Sequence, residues 1–136
     1  MKNKSLAFDY VSRAEKRLVA LDALMNVDAW ADVVREAQEV VELALKGLLR
    51  NFGVEIPRIH DVSDILLNEI HCFPEDLQAK VSDLAKTSRA LRRDRELAFY
   101  GSEDLTPSEF YKEEDATLAL RQARAVVATV LPYVCK

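Results

Sequence analysis

Much that would staple, span or break a chain is scarce here. Only two cysteines occur in 136 residues, Cys72 and Cys135, in separate segments and without a CxxC pair. That excludes a disulfide framework and points to reduced, intracellular thiols. No stretch of about 18 uncharged apolar residues exists, which excludes a membrane-spanning helix. The charged start Met1-Lys2-Asn3-Lys4 leads into Asp9, Arg13, Glu15 and Lys16 rather than the apolar segment of a signal peptide. The expected location is the cytoplasm. Positive charge is not in excess: the formal net charge is −4, so contact with nucleic acid must use a local patch rather than the whole surface. There is no glycine-rich phosphate loop, no GxSxG elbow and no strand-like alternation, so nucleophilic catalysis has no visible constellation. With three glycines and four prolines, the chain suits long helices joined by short loops.

What is present is helical periodicity. The content is 49% hydrophobic and 31% charged, ordinary for a globular domain, and the length fits a single domain over residues 1–136 with a core of its own. Ala7, Tyr10, Val11, Ala14, Leu18, Leu21 and Leu24 recur at gaps of mostly three and four, predicting a helix from about Leu6 to Met25. Asn26-Val27-Asp28 breaks this pattern, with Asp28 placed to cap the next helix. That second helix, about Ala29 to Asn51, carries Trp30, Val33, Ala37, Val41, Ala44, Leu48 and Phe52 on one face. Val34, Val40, Leu43, Leu45 and Leu49 widen the face, so the helix is either central or shared with a second subunit. Gly53 stands where a left-handed cap is favoured.

An extended loop, Val54 to His60, precedes Asp61, expected to cap a short third helix whose apolar side is Val62, Ile65, Leu66 and Ile70. Phe73-Pro74 opens a fourth helix reaching about Phe99. A polar, acidic loop through Thr106-Pro107-Ser108-Glu109 has room for one helical turn. The last helix runs from about Glu113 to Leu131 on Ala116, Leu120, Ala123, Val127 and Val130. The expected fold is all-α: an up-and-down bundle of four long helices and one short.

The run Ala37-Gln38-Glu39-Val40-Val41-Glu42-Leu43-Ala44-Leu45-Lys46-Gly47-Leu48-Leu49 is similar to the second-helix signature of the HEPN family (higher eukaryote and prokaryote nucleotide-binding). The likeness continues through the loop Gly53 to Asp61, then Arg95 to Gly101 and Phe110-Tyr111, spanning about Ala29 to Val130 in order. This resemblance implies a helical bundle that pairs as a homodimer. Many relatives act beside a small nucleotidyltransferase as a toxin–antitoxin module. Others are metal-independent endoribonucleases with an arginine and a histidine separated by four to six residues near the end of the fourth helix.

Here the chain departs from the ribonuclease pattern. Its two histidines, His60 and His71, both precede Arg89, Arg92, Arg93 and Arg95, and Tyr100 stands after Arg95 with four residues between. A phenol of pKa near 10 is a poor general base at neutral pH, so Tyr100 suits hydrogen bonding or base stacking better than cleavage.

Arg95 and Ser88 interrupt the seam Leu77, Val81, Leu84, Ser88, Leu91, Arg95, Ala98 of the fourth helix. Three readings stand for Arg95: a phosphate-binding fork lining a groove at a two-fold axis, a pair with an internal carboxylate, or a side chain reaching solvent past the packing. Lys86, Arg89, Arg92, Arg93 and Arg95 form a basic run with only Asp94 against them, while Glu103 to Asp115 carries six acids against Lys112. The basic run is a candidate phosphate patch, or the two charged segments neutralise each other, or the run is a solvated charged face. Glu42 and Lys46 have the order of a helix ion pair. His60 either faces a nucleotide or fixes its own loop. A metal site from His60, His71, Cys72 and a carboxylate fits no ligand spacing, so no metal and no cofactor are expected.

The expected nucleotide or RNA site is thus Arg95, Tyr100, Arg92, Arg89, Ser88 and His60, and any catalysis falls to Arg95 and Tyr100. The leading function is a non-catalytic, dimeric, phosphate-binding module that works with a nucleotidyltransferase partner. The alternatives are an endoribonuclease and a purely structural dimeric adaptor.

Overall fold

The computed structural model describes residues 4–56, 61–100 and 105–134, without the side chains of 93–100. Four long helices form the body: α1 (Lys4–Asn26), α2 (Trp30–Asn51), α4 (Glu75–Tyr100) and α6 (Glu113–Val130). Two short ones, α3 (Val62–Asn68) and α5 (Pro107–Phe110), and two 3-10 turns, Ile70–Cys72 and Leu131–Tyr133, complete the described chain. No strand occurs among the described residues. No described helix is long and apolar enough to cross a membrane.

Helix α2 is the hub. It packs on α1, α6 and α4, and also meets α3 and α5, while α4 and α6 barely touch each other. Of the two readings open for its wide apolar face, the central one holds. Val33, Ala37, Val40, Val41, Ala44, Leu45, Leu48 and Leu49 are all buried within one chain. The face is satisfied without a second subunit.

Side-chain ties fix the directions. Lys4 Nζ donates to Asn51 Oδ1 at 3.0 Å and Arg17 pairs with Glu36 at 3.2 Å, so α1 and α2 run antiparallel. Phe52, just past α2, stacks edge-on against Phe73, just before α4, with centroids 5.3 Å apart. Asn51 Nδ2 donates to the Tyr133 carbonyl at 2.9 Å, bringing the ends of α2 and α6 together. Asp22 of α1 pairs with Arg124 of α6. The long helices therefore alternate in direction, as an up-and-down bundle does.

The helix ends follow local chemistry, with one correction. Gly53, at φ 82°, closes α2: its N–H donates to the Arg50 carbonyl at 3.0 Å and the Val54 N–H to that of Leu49 at 3.0 Å, a complete Schellman motif. Asp28, expected to cap α2 at its start, instead ends α1 in the same manner. It lies at φ 58°, its N–H donates to the Met25 carbonyl at 3.1 Å, and the Ala29 N–H reaches that of Leu24 at 3.0 Å. Asp tolerates this left-handed conformation better than most residues. Ala29 then occupies the N-cap position of α2 with no side-chain cap.

Asp61 does cap α3, accepting from the Ser63 N–H at 2.9 Å and the Ser63 hydroxyl at 2.7 Å. Pro74 stands one residue ahead of α4, where its missing N–H costs nothing. The turn expected near Pro107 is α5, closed by a capping box in which Thr106 and Glu109 serve each other's backbone N–H.

Candidate nucleic-acid and nucleotide interface

A polar cluster forms where α2, the start of α3 and α4 meet. Gln38, Glu42 and Lys46 are four apart on α2, so one face carries all three. Gln38 is only 4% exposed, and its Nε2 donates to Glu42 Oε2 at 3.3 Å. Its Oε1 is buried and accepts no hydrogen bond from the described residues. An amide oxygen left this way costs about 1–3 kcal/mol.

Arg92 reaches toward this cluster from α4. Its Nη1 lies 3.7 Å from Asp61 Oδ1 and 4.0 Å from Glu42 Oε1, and Lys46 Nζ lies 4.0 Å from the same Glu42 oxygen. These separations give Coulomb attraction but exceed hydrogen-bond length, so the planar fork of Arg92 is steered rather than consumed. Arg89 is different: its Nη2 donates to Asp64 Oδ1 at 2.6 Å. For Arg89 an internal ion pair is therefore what the fold provides.

Asp61 carries the electrostatic signature of the cluster. Partial burial would raise its pKa, but the hydrogen bonds from Ser63, helped by Arg92 and Arg89, hold it below the usual value of 3.8. A carboxylate stabilised as the anion is a charge anchor and not a base poised near neutrality.

Three of the six residues expected from the sequence are thus placed. Ser88 is buried on the α4 seam, in line with Leu77, Val81, Leu84 and Leu91, as the heptad-like spacing implies. Arg89 and Arg92 both face α3, and Arg92 also faces α2. Arg95 and Tyr100 fall in the last turns of α4, but their side chains lie outside the described residues, as does all of His60. Among the described residues, the acids that meet Arg89 and Arg92 are Asp61, Asp64 and Glu42.

Sequence reasoning missed Gln38, Lys46 and Asp61 as members of a site. Gln38 had a signal: it stands one turn after Val34 and one turn before Val41, in line with the apolar face of the helix. The joining of Asp61 to Glu42 had none, because it depends on how α3 docks.

Between α4 and α6 run two shallow clefts. One, of about 260 Å³, lies along Lys80, Leu84, Thr87, Ala125 and Thr129. The other, of about 160 Å³, lies along Val34, Leu91, Tyr111 and Leu118. Both are below the roughly 300 Å³ of an ordinary small-molecule pocket.

No curated protein and no solved structure matches the chain. The HEPN domain family model, by contrast, matches residues 7–132, nearly the whole length, and the chain belongs to the HEPN family.

Proposed function

We propose that this HEPN chain is a non-catalytic, dimeric module that binds the phosphate of a nucleotide or RNA at the α2–α3–α4 cluster. It works beside a nucleotidyltransferase partner in a toxin–antitoxin type system. The observation that carries the reading is Arg92: a guanidinium held between Asp61 and Glu42 at 3.7 and 4.0 Å, with no hydrogen bond from its fork to these carboxylates. A phosphate accepts from Arg92. Family membership supports the choice of ligand class. The missing histidine after the arginine-rich segment and the depressed pKa of Asp61 favour binding over cleavage.

Since α2 spends its apolar face within the protomer, the dimer of this reading needs another surface. Phe110 and Leu118, 43% and 50% exposed beside the cleft at Tyr111, are its candidates. The functional test is titration of labelled single-stranded RNA and of nucleoside triphosphates into the chain. Binding should weaken with added salt and fall about tenfold in Arg92→Ala, with the RNA left intact. Equal affinity of wild type and variant would end the assignment of the site. Cleavage of the RNA would move the chain to the endoribonucleases. Sedimentation as a monomer at micromolar concentration would remove the dimer.

A further inference from the structure

Just past the end of α3, three metal-competent side chains converge within four residues of sequence. Glu69, His71 and Cys72 place one ligand atom each within 4.8 Å of the others. The Cys72 thiol donates to Glu69 Oε2 at 3.6 Å, and His71 Nε2 lies 3.6 Å from that same oxygen.

The backbone causes the convergence. The Cys72 N–H donates to the Glu69 carbonyl at 2.9 Å, and the Phe73 N–H to that of Ile70 at 3.1 Å, making a 3-10 turn. In a 3-10 turn the side chains three residues apart eclipse, so Glu69 and Cys72 share one edge. Ile70 and Phe73 pack on the core and hold the turn, while His71 is mostly exposed, at 73% of its side chain, and can swing.

We infer that Glu69, His71 and Cys72 form a three-ligand site for a thiophilic divalent cation of the zinc class. Bonds of about 2.0–2.3 Å in tetrahedral geometry separate neighbouring ligand atoms by roughly 3.3–3.8 Å. The two measured edges, both 3.6 Å, already fall in that interval. The third edge, His71 to Cys72, lies within 4.8 Å, and the exposed imidazole is free to rotate. Thiolate, imidazole and one carboxylate suit zinc and its cobalt surrogate, whereas magnesium and calcium prefer all-oxygen sets. Binding displaces the thiol proton that Glu69 now accepts, so about one proton per cation is released near neutral pH. The fourth position is left to water or an incoming ligand. The spacing Glu-x-His-Cys matches no familiar motif; His71 and Cys72 stand out in the sequence, and the folded turn supplies Glu69 as the carboxylate.

The test is titration of the full chain with cobalt(II) under reducing conditions, followed by displacement with zinc. One equivalent should bind with a sulfur-to-cobalt charge-transfer band, and zinc should slow alkylation of Cys72. The band should vanish in Cys72→Ser and persist in Cys135→Ser. Affinity should drop at least about tenfold in His71→Ala and Glu69→Gln. His71→Ala changes an exposed side chain, so unchanged circular dichroism separates lost binding from lost folding. Absence of the band in wild type, or its persistence in Cys72→Ser, overturns the site.

Discussion

Gly47 of α2 lies so close to Val11 of α1 that a Cβ at Gly47 would stand 2.6 Å from the Val11 Cγ2 and 3.0 Å from the Ala7 carbonyl oxygen. A mid-helix glycine normally costs about 1 kcal/mol in propensity, yet here it lets two antiparallel helices touch. Val11 is a stiff β-branched residue, fully buried, and cannot step aside. Gly47→Ala should therefore lower stability by about 1–2 kcal/mol net of the propensity gain, read as a fall in the urea midpoint. A rise in the midpoint would mean the contact is looser than described.

The two left-handed helix ends give opposite expectations. At φ 82° Gly53 is where glycine belongs, and Gly53→Ala should cost about 1 kcal/mol. At φ 58° Asp28 occupies the equivalent position of α1, and Asp28→Gly relieves its strain while loosening the unfolded chain. The net change at Asp28 should be a gain of up to about 0.5 kcal/mol in thermal or urea unfolding.

Gln38 should be a stability defect of the fold. Gln38→Met keeps the volume and removes a buried oxygen that has no partner among the described residues, at the loss of a long 3.3 Å bond to Glu42. Unfolding should become harder by up to about 1 kcal/mol. A fall in the urea midpoint would show that the amide is a structural strut.

Asn51 knots three ends of the bundle, receiving Lys4 Nζ at 3.0 Å and donating to the Tyr133 carbonyl at 2.9 Å, at 2% exposure. Asn51→Leu strands that carbonyl, so a loss of about 1–3 kcal/mol is expected. Hydrogen exchange should show the end of α6 opening first.

Near this knot, Tyr133 donates its hydroxyl to Asp76. That bond holds the Asp76 carboxyl below its usual range and pushes the Tyr133 phenol above 10.0. The signs differ at the two ends of the pH scale. The depressed acid stabilises the fold above the usual carboxylate range and loses its contribution as pH falls through its folded value. The raised phenol contributes below pH 10 and loses it as pH rises through its own. Carbon-detected titration of Tyr133→Phe should return Asp76 to the ordinary range. An unmoved midpoint would show that the bond is not populated in solution.

The periodic residues of α1, α2, α4 and α6 were enough to place all four long helices within a few residues, and Gly53 and Asp61 marked true helix ends. Each is a local matter: an apolar stripe repeats every turn, a glycine admits positive φ, and an aspartate accepts from the N–H two residues on. Asp28 was misassigned because Asp serves equally in two roles, as a cap or in the left-handed position. Only the backbone path between two helices chooses.

The site was legible in part for a related reason. Ser88 and Arg92 could be placed on α4 by counting, but counting does not say what faces them. Periodicity fixes which residues share a side of a helix, and so the sequence by itself determined an all-helical bundle whose α2 carries a wide apolar face. The docking of α3 decided the rest: that Asp61 meets Arg92 and that Asp64 occupies Arg89. Those contacts depend on where separate segments come to rest in space, set by the summed packing of the whole core rather than by any local run of residues.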